Sequence, residues 1–587
     1  MAENTIEKVY IKLILTTKSP FSVCSGMDEF SDKDIIKRGD EPFIPGSTLA
    51  GVFRNYIKMN GLDSSSKSID EIDKDFFGYI HRGDSKEEHK ARQSGIIFGD
   101  GVLAKNGCSD SSASNAENPK KESEPKFIIS FRDGVKLGDR KTAIDTGKYN
   151  YEIIEKGAKF EAIIEYHGKK ADVFKELIKQ IAIAINSGEI RIGSKVSRGL
   201  GYMGAEYIEK TFGKGKVNDW LEFDPYCSSK WKDGKFTSSK DLGSKKIYGI
   251  EADIEIPDTL MIRDYNVDPN IIIENNSEKS MKIGSNSKTS MIDEKNSEGE
   301  KAKSYPNIEK LDYGQLCSSC INDNAENQSI TKYAVIPGTT WAGAFSHRAK
   351  VILEEILYSM NLEDIGVDVI NDKDKAKLII NEKVKHLLYI AFGQIENAQT
   401  AENVQSNNIQ NSSTNNISDN INKENEGKDD KNKKQFCKSN LSFFDSEIKI
   451  KNENDNDNPD SEYAKIIPIT RTKIDRFTGG SMPKALFTEN VCCGGKTTLK
   501  IGINKNCKEK KAVMGLIFLC LDDLKDGLLA IGGETAVGRG IIKVNHTNIH
   551  EDIKEELVKD FENIEKDKLI EIVREQCLKS LVEELRK

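Results

Sequence analysis

The chain has 587 residues, 31% of them charged, and a formal net charge of -8. That length suits three or four domains, or two domains carrying insertions, and the acidic balance excludes a globally basic nucleic-acid binder while leaving room for a local basic groove. Eleven cysteines without a regular framework, no N-terminal apolar segment and no run of 18 apolar residues predict a reducing, cytoplasmic setting without a membrane span.

Residues 9–15 alternate loosely between apolar and polar and predict a first strand. An acidic loop follows with Asp28, Asp32, Asp34 and Asp40, and then Ile44-Pro45-Gly46-Ser47-Thr48 predicts a turn and a helix capped by Ser47 or Thr48. Such a helix N-terminus can accept a phosphate. Residues 96–99 read as a short strand, and 105–125 as a solvated loop insertion. Residues 127–135 and 149–166 read as the strands of a projecting hairpin whose charged connection holds Arg140 and Lys141. A helix over 171–185 leads into Ile192-Gly193-Ser194-Lys195-Val196-Ser197-Arg198-Gly199-Leu200-Gly201.

The second half replays this order. Residues 247–256 read as the strand, Ile336-Pro337-Gly338-Thr339-Thr340 as the helix start, 387–393 as the answer to 96–99, and 466–471 with 497–503 as hairpin strands around Arg476 and Phe477. The glycine loop returns as Ile531-Gly532-Gly533-Glu534-Thr535-Ala536-Val537-Gly538-Arg539-Gly540. Glycine permits positive φ and close backbone approach, so the repeated loop suits either a phosphate chain or a tight turn against a sheet. The polar tracts 275–303 and 397–434 are too rich in Asn, Ser and Lys to bury a core and predict disorder. Helical apolar spacing after 548 predicts C-terminal helices. The resulting division is 1–240, 241–547 and 548–587.

Strand, acidic loop, Ile-Pro-Gly helix start, hairpin, helix and glycine loop, all in duplicate, resemble the RAMP superfamily of CRISPR-associated proteins, in particular the backbone subunits of type III effector complexes. The resemblance implies an α+β fold of two tandem modified ferredoxin-like (RRM-like) domains with projecting thumb hairpins, disordered insertions and C-terminal helices. It implies guide RNA along the assembled backbone, complementary target RNA, and as partners a large signalling subunit, small helical subunits and other RAMP subunits. The RNA-binding candidates are Ser47, Arg54, Arg140, Lys141, Gly193, Lys195, Arg198, Gly199 and Gly201 in the first half. In the second they are Thr339, Arg348, Arg476, Phe477, Gly532, Gly538, Arg539 and Gly540.

The family's target cleavage is metal-dependent and rests on an Asp in the loop before the helix start. Asp32 fits that place best and Asp34 next; Asp312 and Asp323 are the second-half candidates. A lone carboxylate is chemically sensible for Mg²⁺ or Mn²⁺, since Mg²⁺ keeps several waters and takes substrate phosphate oxygens as further ligands. Cys317 and Cys320 form a lone C-x-x-C, a weak zinc pattern, with unligated thiols as the plainer reading. Three functions stay open: a metal-dependent endoribonuclease subunit, a non-catalytic guide-RNA-binding scaffold, and a guide-precursor processing endoribonuclease.

Overall fold

The computed structural model describes residues 7–26, 31–62, 68–81, 90–104, 126–138, 142–213, 215–242, 247–264, 313–324, 327–360, 373–395, 436–451, 463–558 and 566–587. Arg140, Lys141, Asp312 and the tracts 275–303 and 397–434 lie outside them.

The architecture is mixed α/β with antiparallel sheets. In the first half Glu7–Thr17 is the central strand, with Val9, Ile11, Leu13 and Leu15 buried at the period of two that places them on one face. It pairs antiparallel with Lys159–Gly168 on one side and Met203–Phe212 on the other, and Ile96–Phe98 continues the sheet beyond Lys159–Gly168. The helices Gly46–Asn60 and Ala171–Asn186 cover the apolar face. Leu49, Phe53 and Ile57 of the one, and Phe174, Leu177, Ile178, Ile181 and Ile185 of the other, are buried at helical spacing.

The second sheet has the same order. Gly249–Glu255 lies between Lys496–Ile503 and Lys543–Ile549, with Leu441–Phe443 outside Lys496–Ile503. The helices Gly338–Ser359 and Lys510–Lys525 supply Trp341, Phe345, Leu353, Val513, Leu516 and Ile517 to its core.

Three expectations are corrected. Residues 387–392 belong to the helix Lys373–Phe392, because Ile380, Val384, Leu387 and Ala391 are buried at i, i+4, i+7 and i+11; the strand that answers Ile96–Phe98 is Leu441–Phe443. Residues 149–166 are two strands, Ala143–Ile154 and Lys159–Gly168, separated where Gly157 takes φ 101°. Likewise Lys465–Ile474 pairs with Ser481–Cys493, and Gly494 and Gly495, both at positive φ, divide that hairpin from Lys496–Ile503.

The C-terminal helices Glu551–Leu557 and Lys566–Arg586 pack on the body. Leu569, Val573, Cys577 and Leu581 are buried, and Gly515 of the helix Lys510–Lys525 lets the backbone of Cys577 come close.

The halves are joined through the base of the first hairpin, Ile129–Leu137 with Ala143–Ile154. Ile321 N–H donates to Lys156 O at 3.0 Å, and Gly157 lies so close to Ile321 that no side chain would fit there.

Candidate nucleic-acid interface

The first glycine loop leaves the helix Ala171–Asn186 and enters the strand Met203–Phe212. Gly193 sits at φ 98° against the carbonyl of Ser22; Ser194 N–H donates to that carbonyl at 2.7 Å, and Gly201 N–H donates to Pro20 O at 2.9 Å. The acidic loop is thereby fastened to the glycine loop. In the second half Gly533 N–H donates to Met261 O and Gly540 N–H to Thr259 O, both at 2.8 Å. Each loop holds one 3₁₀ turn, Val196–Arg198 or Thr535–Val537, entered through a left-handed residue, Lys195 at φ 51° or Glu534 at φ 59°. These are the two non-glycine residues with positive φ among the described residues. The backbone is duplicated; the charge at its left-handed position is reversed.

The surroundings follow that reversal. Lys195 Nζ lies 3.6 Å from the centre of the Tyr151 ring and 4.2 Å from that of Tyr149, and donates to Tyr149 Oη at 3.1 Å. Ring faces favour an ammonium, but burial, then Lys33 and Arg198, push this amine down to about 7. Lys33 and Arg198 are exposed. None of the three forms an ion pair among the described residues. Glu534, by contrast, is ion-paired to Arg471, to Arg539 at 2.6 Å and to Arg263 at 3.1 Å, while Glu489 takes Arg471 at 2.9 Å and Arg539 at 2.8 Å. The first loop is an open basic site and the second is neutralised from within.

Asp32 stands beside the first loop. Its Oδ2 accepts from Asn150 N–H at 2.8 Å while Asn150 Oδ1 accepts from Asp32 N–H at 2.9 Å, so the exposed carboxylate is tied to the strand that carries Tyr149 and Tyr151. Asp34 is buried and accepts from Ser31 N–H at 2.8 Å and Ser31 Oγ at 2.6 Å, an arrangement that shapes the loop and turns the carboxylate inward. Asp323 lies on the strand Cys317–Asn324, opposite Gln328.

The helix starts are already occupied. Gly46 N–H donates to Asp100 Oδ1 and Gly338 N–H to Asp445 Oδ1, each at 2.8 Å. These carboxylates fill the seat expected for a phosphate, and the cap residues are Pro45 and Pro337, with Ser47 and Thr339 two residues further in. Sequence reasoning missed Asp100 and Asp445. The repeated Phe98-Gly99-Asp100 and Phe443-Phe444-Asp445 carried the signal. Arg54 is held by Asp73 at 2.6 and 2.8 Å, and Arg348 by Asp523 at 2.5 Å.

Arg476 and Phe477 lie at the tip of the second hairpin, and Phe477 is 100% exposed. Cys317 and Cys320 stand three apart on one strand and so face opposite sides of it; burial pushes the Cys317 thiol up to about 11. Among the described residues no group of three or more His, Cys, Asp or Glu side chains could hold a metal ion.

The profile of the RAMP superfamily matches residues 16–204 and 318–543, covering both glycine loops and both helix starts. The chain belongs to the RAMP superfamily. Its two matched regions make it a tandem RAMP protein, and among the described residues each half contributes a central antiparallel sheet, a long hairpin and a glycine loop. No curated protein matches it. Among solved structures it is similar to a chain of the type III-B Cmr-beta complex bound to cognate target RNA, determined by cryo-electron microscopy. That likeness has 16% identity and a TM-score of 0.23, and covers 35% of this chain and 61% of that one. Among the described residues of this RAMP protein, no helix is long and apolar enough to cross a membrane.

Proposed function

We propose that this tandem RAMP protein is a backbone subunit of a type III CRISPR ribonucleoprotein effector, holding guide RNA and cleaving complementary target RNA beside Asp32. The observation that carries the reading is the convergence of Lys33, Lys195 and Arg198, without ion pairs among the described residues, on the loop that presents Asp32. Unpaired cations on a rigid glycine loop suit the phosphates of an RNA backbone, an interaction that positions the strand without reading its sequence. The strand orders, with the first strand between the third and the fourth and the second at the edge, support a ferredoxin-like reading of each half. The exposed Phe477 supports a thumb that enters between bases.

A magnesium or manganese ion fits Asp32 only in part, because one exposed carboxylate leaves most ligand positions to water and RNA. When bound, such an ion supplies charge stabilisation at the scissile phosphate. Asp32 would hold it, with the carboxylate oriented by Asn150. The nearby cations Lys33, Lys195 and Arg198 would oppose a metal ion at Asp32 until RNA phosphates offset their charge.

A guide-holding scaffold without cleavage is the second reading, favoured by the lack of a clustered ligand set among the described residues. The two separate in the assembled complex on guide-complementary RNA, with Mg²⁺ or EDTA, comparing wild type with Asp32→Ala. Cleavage lost in the variant and in EDTA with unchanged binding supports the nuclease; intact RNA in the wild type with metal leaves the scaffold. Cleavage of the repeat RNA without metal would favour a processing enzyme instead.

A further inference from the structure

The junction between the halves provides a template for the chain's own outer face. Gly199 of the first loop packs on the start of the helix Gly338–Ser359, where an added side chain would strike Asp445 Oδ1 and approach Gly338 N. Phe444, beside that aspartate, is clasped by the same loop: Arg191 lies 3.6 Å over its ring, Tyr202 meets it edge-on at 5.9 Å between ring centres, and Gly188 leaves room for it.

The corresponding positions of the second half follow from its repeated backbone. Gly538 answers Gly199, Ile541 answers Tyr202, Ala530 answers Arg191 and Val537 answers Arg198, since Gly532, Gly538 and Gly540 repeat the positive φ of Gly193, Gly199 and Gly201. No described atom lies within 4 Å of a side chain added at Gly538. Val537 is 64% exposed, Leu528 63% and Ile541 45%. Positions that clamp a partner in one half thus form, among the described residues, an exposed apolar face in the other.

A second copy of the chain is a poor occupant. At its first-half helix start Asp100 is paired to Arg38 at 2.6 Å, and Gly99 stands where the junction has Phe444. The two aligned strands fix that equivalence: Gly99 N–H donates to Ile163 O as Phe444 N–H does to Lys500 O. A copy would bring the right backbone and no aromatic plug.

We infer that the face formed by Leu528, Val537, Gly538 and Ile541 docks a different protein subunit, one presenting an aromatic or large aliphatic side chain beside an acid-capped helix start. Burial of three such side chains is the driving term, and the self-neutralised Glu534 with Arg471 and Arg539 removes the need for a charged partner at the centre. The inference rests on the reading of the chain as a subunit of a ribonucleoprotein assembly.

The test is maleimide labelling of Val537→Cys and Leu528→Cys, read by mass spectrometry of the labelled peptides, in the free chain and in the purified assembly before and after ribonuclease digestion. Phe236→Cys, on an exposed edge strand of the first half, reports general accessibility. The expected result is fast labelling of both variants in the free chain and at least tenfold slower labelling in the assembly, persisting after digestion. A short cross-linker from Val537→Cys should reach a peptide of another polypeptide with an aromatic or large aliphatic residue beside an aspartate or glutamate. Unchanged labelling in an RNA-containing assembly overturns the inference alone. Protection that vanishes with ribonuclease assigns the face to RNA, and a cross-link to residues 38–100 of this same sequence assigns it to a second copy; either overturns it. Recovery of the chain with neither RNA nor other subunits overturns the functional reading beneath it.

Discussion

Arg132 of the first half and Asp445 of the second form a buried ion pair across the junction, Nη1 to Oδ2 at 2.8 Å, with 3% and 5% of the two side chains exposed. Arg132 also donates to Ser318 Oγ at 3.0 Å, and Asp445 caps Gly338 through its other oxygen. One carboxylate therefore orients a helix, receives the neighbouring half and sits against Gly199. Removing one partner of such a pair leaves a buried charge unmatched, so Arg132→Ala is expected to destabilise the chain by about 3–5 kcal/mol. Urea unfolding of Arg132→Ala, Asp445→Ala and the double variant checks this, and the double variant should lose less than the sum of the singles.

The two glycine loops give an internal control. Gly199→Ala and Gly538→Ala both place a side chain at positive φ, a backbone cost of order 1–3 kcal/mol. Only Gly199→Ala also collides with Asp445 and the helix start. Thermal unfolding of the free chain should show the larger loss of Tm in Gly199→Ala.

The first loop carries a pH signature. Burial, Lys33 and Arg198 lower the Lys195 amine to about 7, against an ordinary value near 10.5. The unfolded chain then binds more protons between those values, so this group's contribution makes folding more favourable as pH rises through that window. RNA binding has the opposite sense, because phosphate favours the protonated amine. Affinity is expected to be full below pH 7 and to fall as pH rises above it. Lys195→Arg keeps its charge throughout and should abolish that slope in a fluorescence titration from pH 6 to pH 9.

Asn150 holds Asp32 through its side-chain carbonyl as well as its backbone N–H. Asn150→Ala removes the first tie and leaves the second. In the assembled complex it should lower target cleavage several-fold while RNA affinity stays within twofold, whereas Asp32→Asn should abolish cleavage. An equal loss of affinity in Asn150→Ala would contradict the positioning role.

Much of the fold was legible because its repeated units carry local signals. The Pro-Gly steps at 45–46 and 337–338 mark helix starts that the structure places there. The period-two burial of Val9 to Leu15 likewise matches its strand. Hairpin partners were harder: the apolar run on either side of Gly157 looks continuous in sequence, and only the positive φ there divides it, while Ser481–Cys493, interrupted early by Pro483 and Lys484, does not read as the partner of 466–471 that it is. For the site, Lys195 and Arg198 came from position in the repeated glycine loop, and Asp32 from the family resemblance. The difference between the two loops did not, because it depends on Arg263, Arg471 and Glu489, which are distant in sequence and close only in the folded second half. Arg54, Arg348 and Arg539 show the same limit: a basic residue in a promising motif counts for RNA only when no carboxylate of the fold has taken it.

RNA phosphates that meet the first glycine loop, with the second internally neutralised, make the two loops respond differently to salt. The most direct test is the salt dependence of single-stranded RNA binding by the full chain, comparing wild type, the Lys33→Ala, Lys195→Ala, Arg198→Ala triple variant, and Arg471→Ala. Removing one phosphate-neutralising cation lowers the log–log slope by about 0.7. At pH 6, where Lys195 is protonated, the slope should fall by about 2 in the triple variant and stay unchanged in Arg471→Ala. An unchanged slope in the triple variant, or a reduction confined to Arg471→Ala, would contradict this difference between the loops.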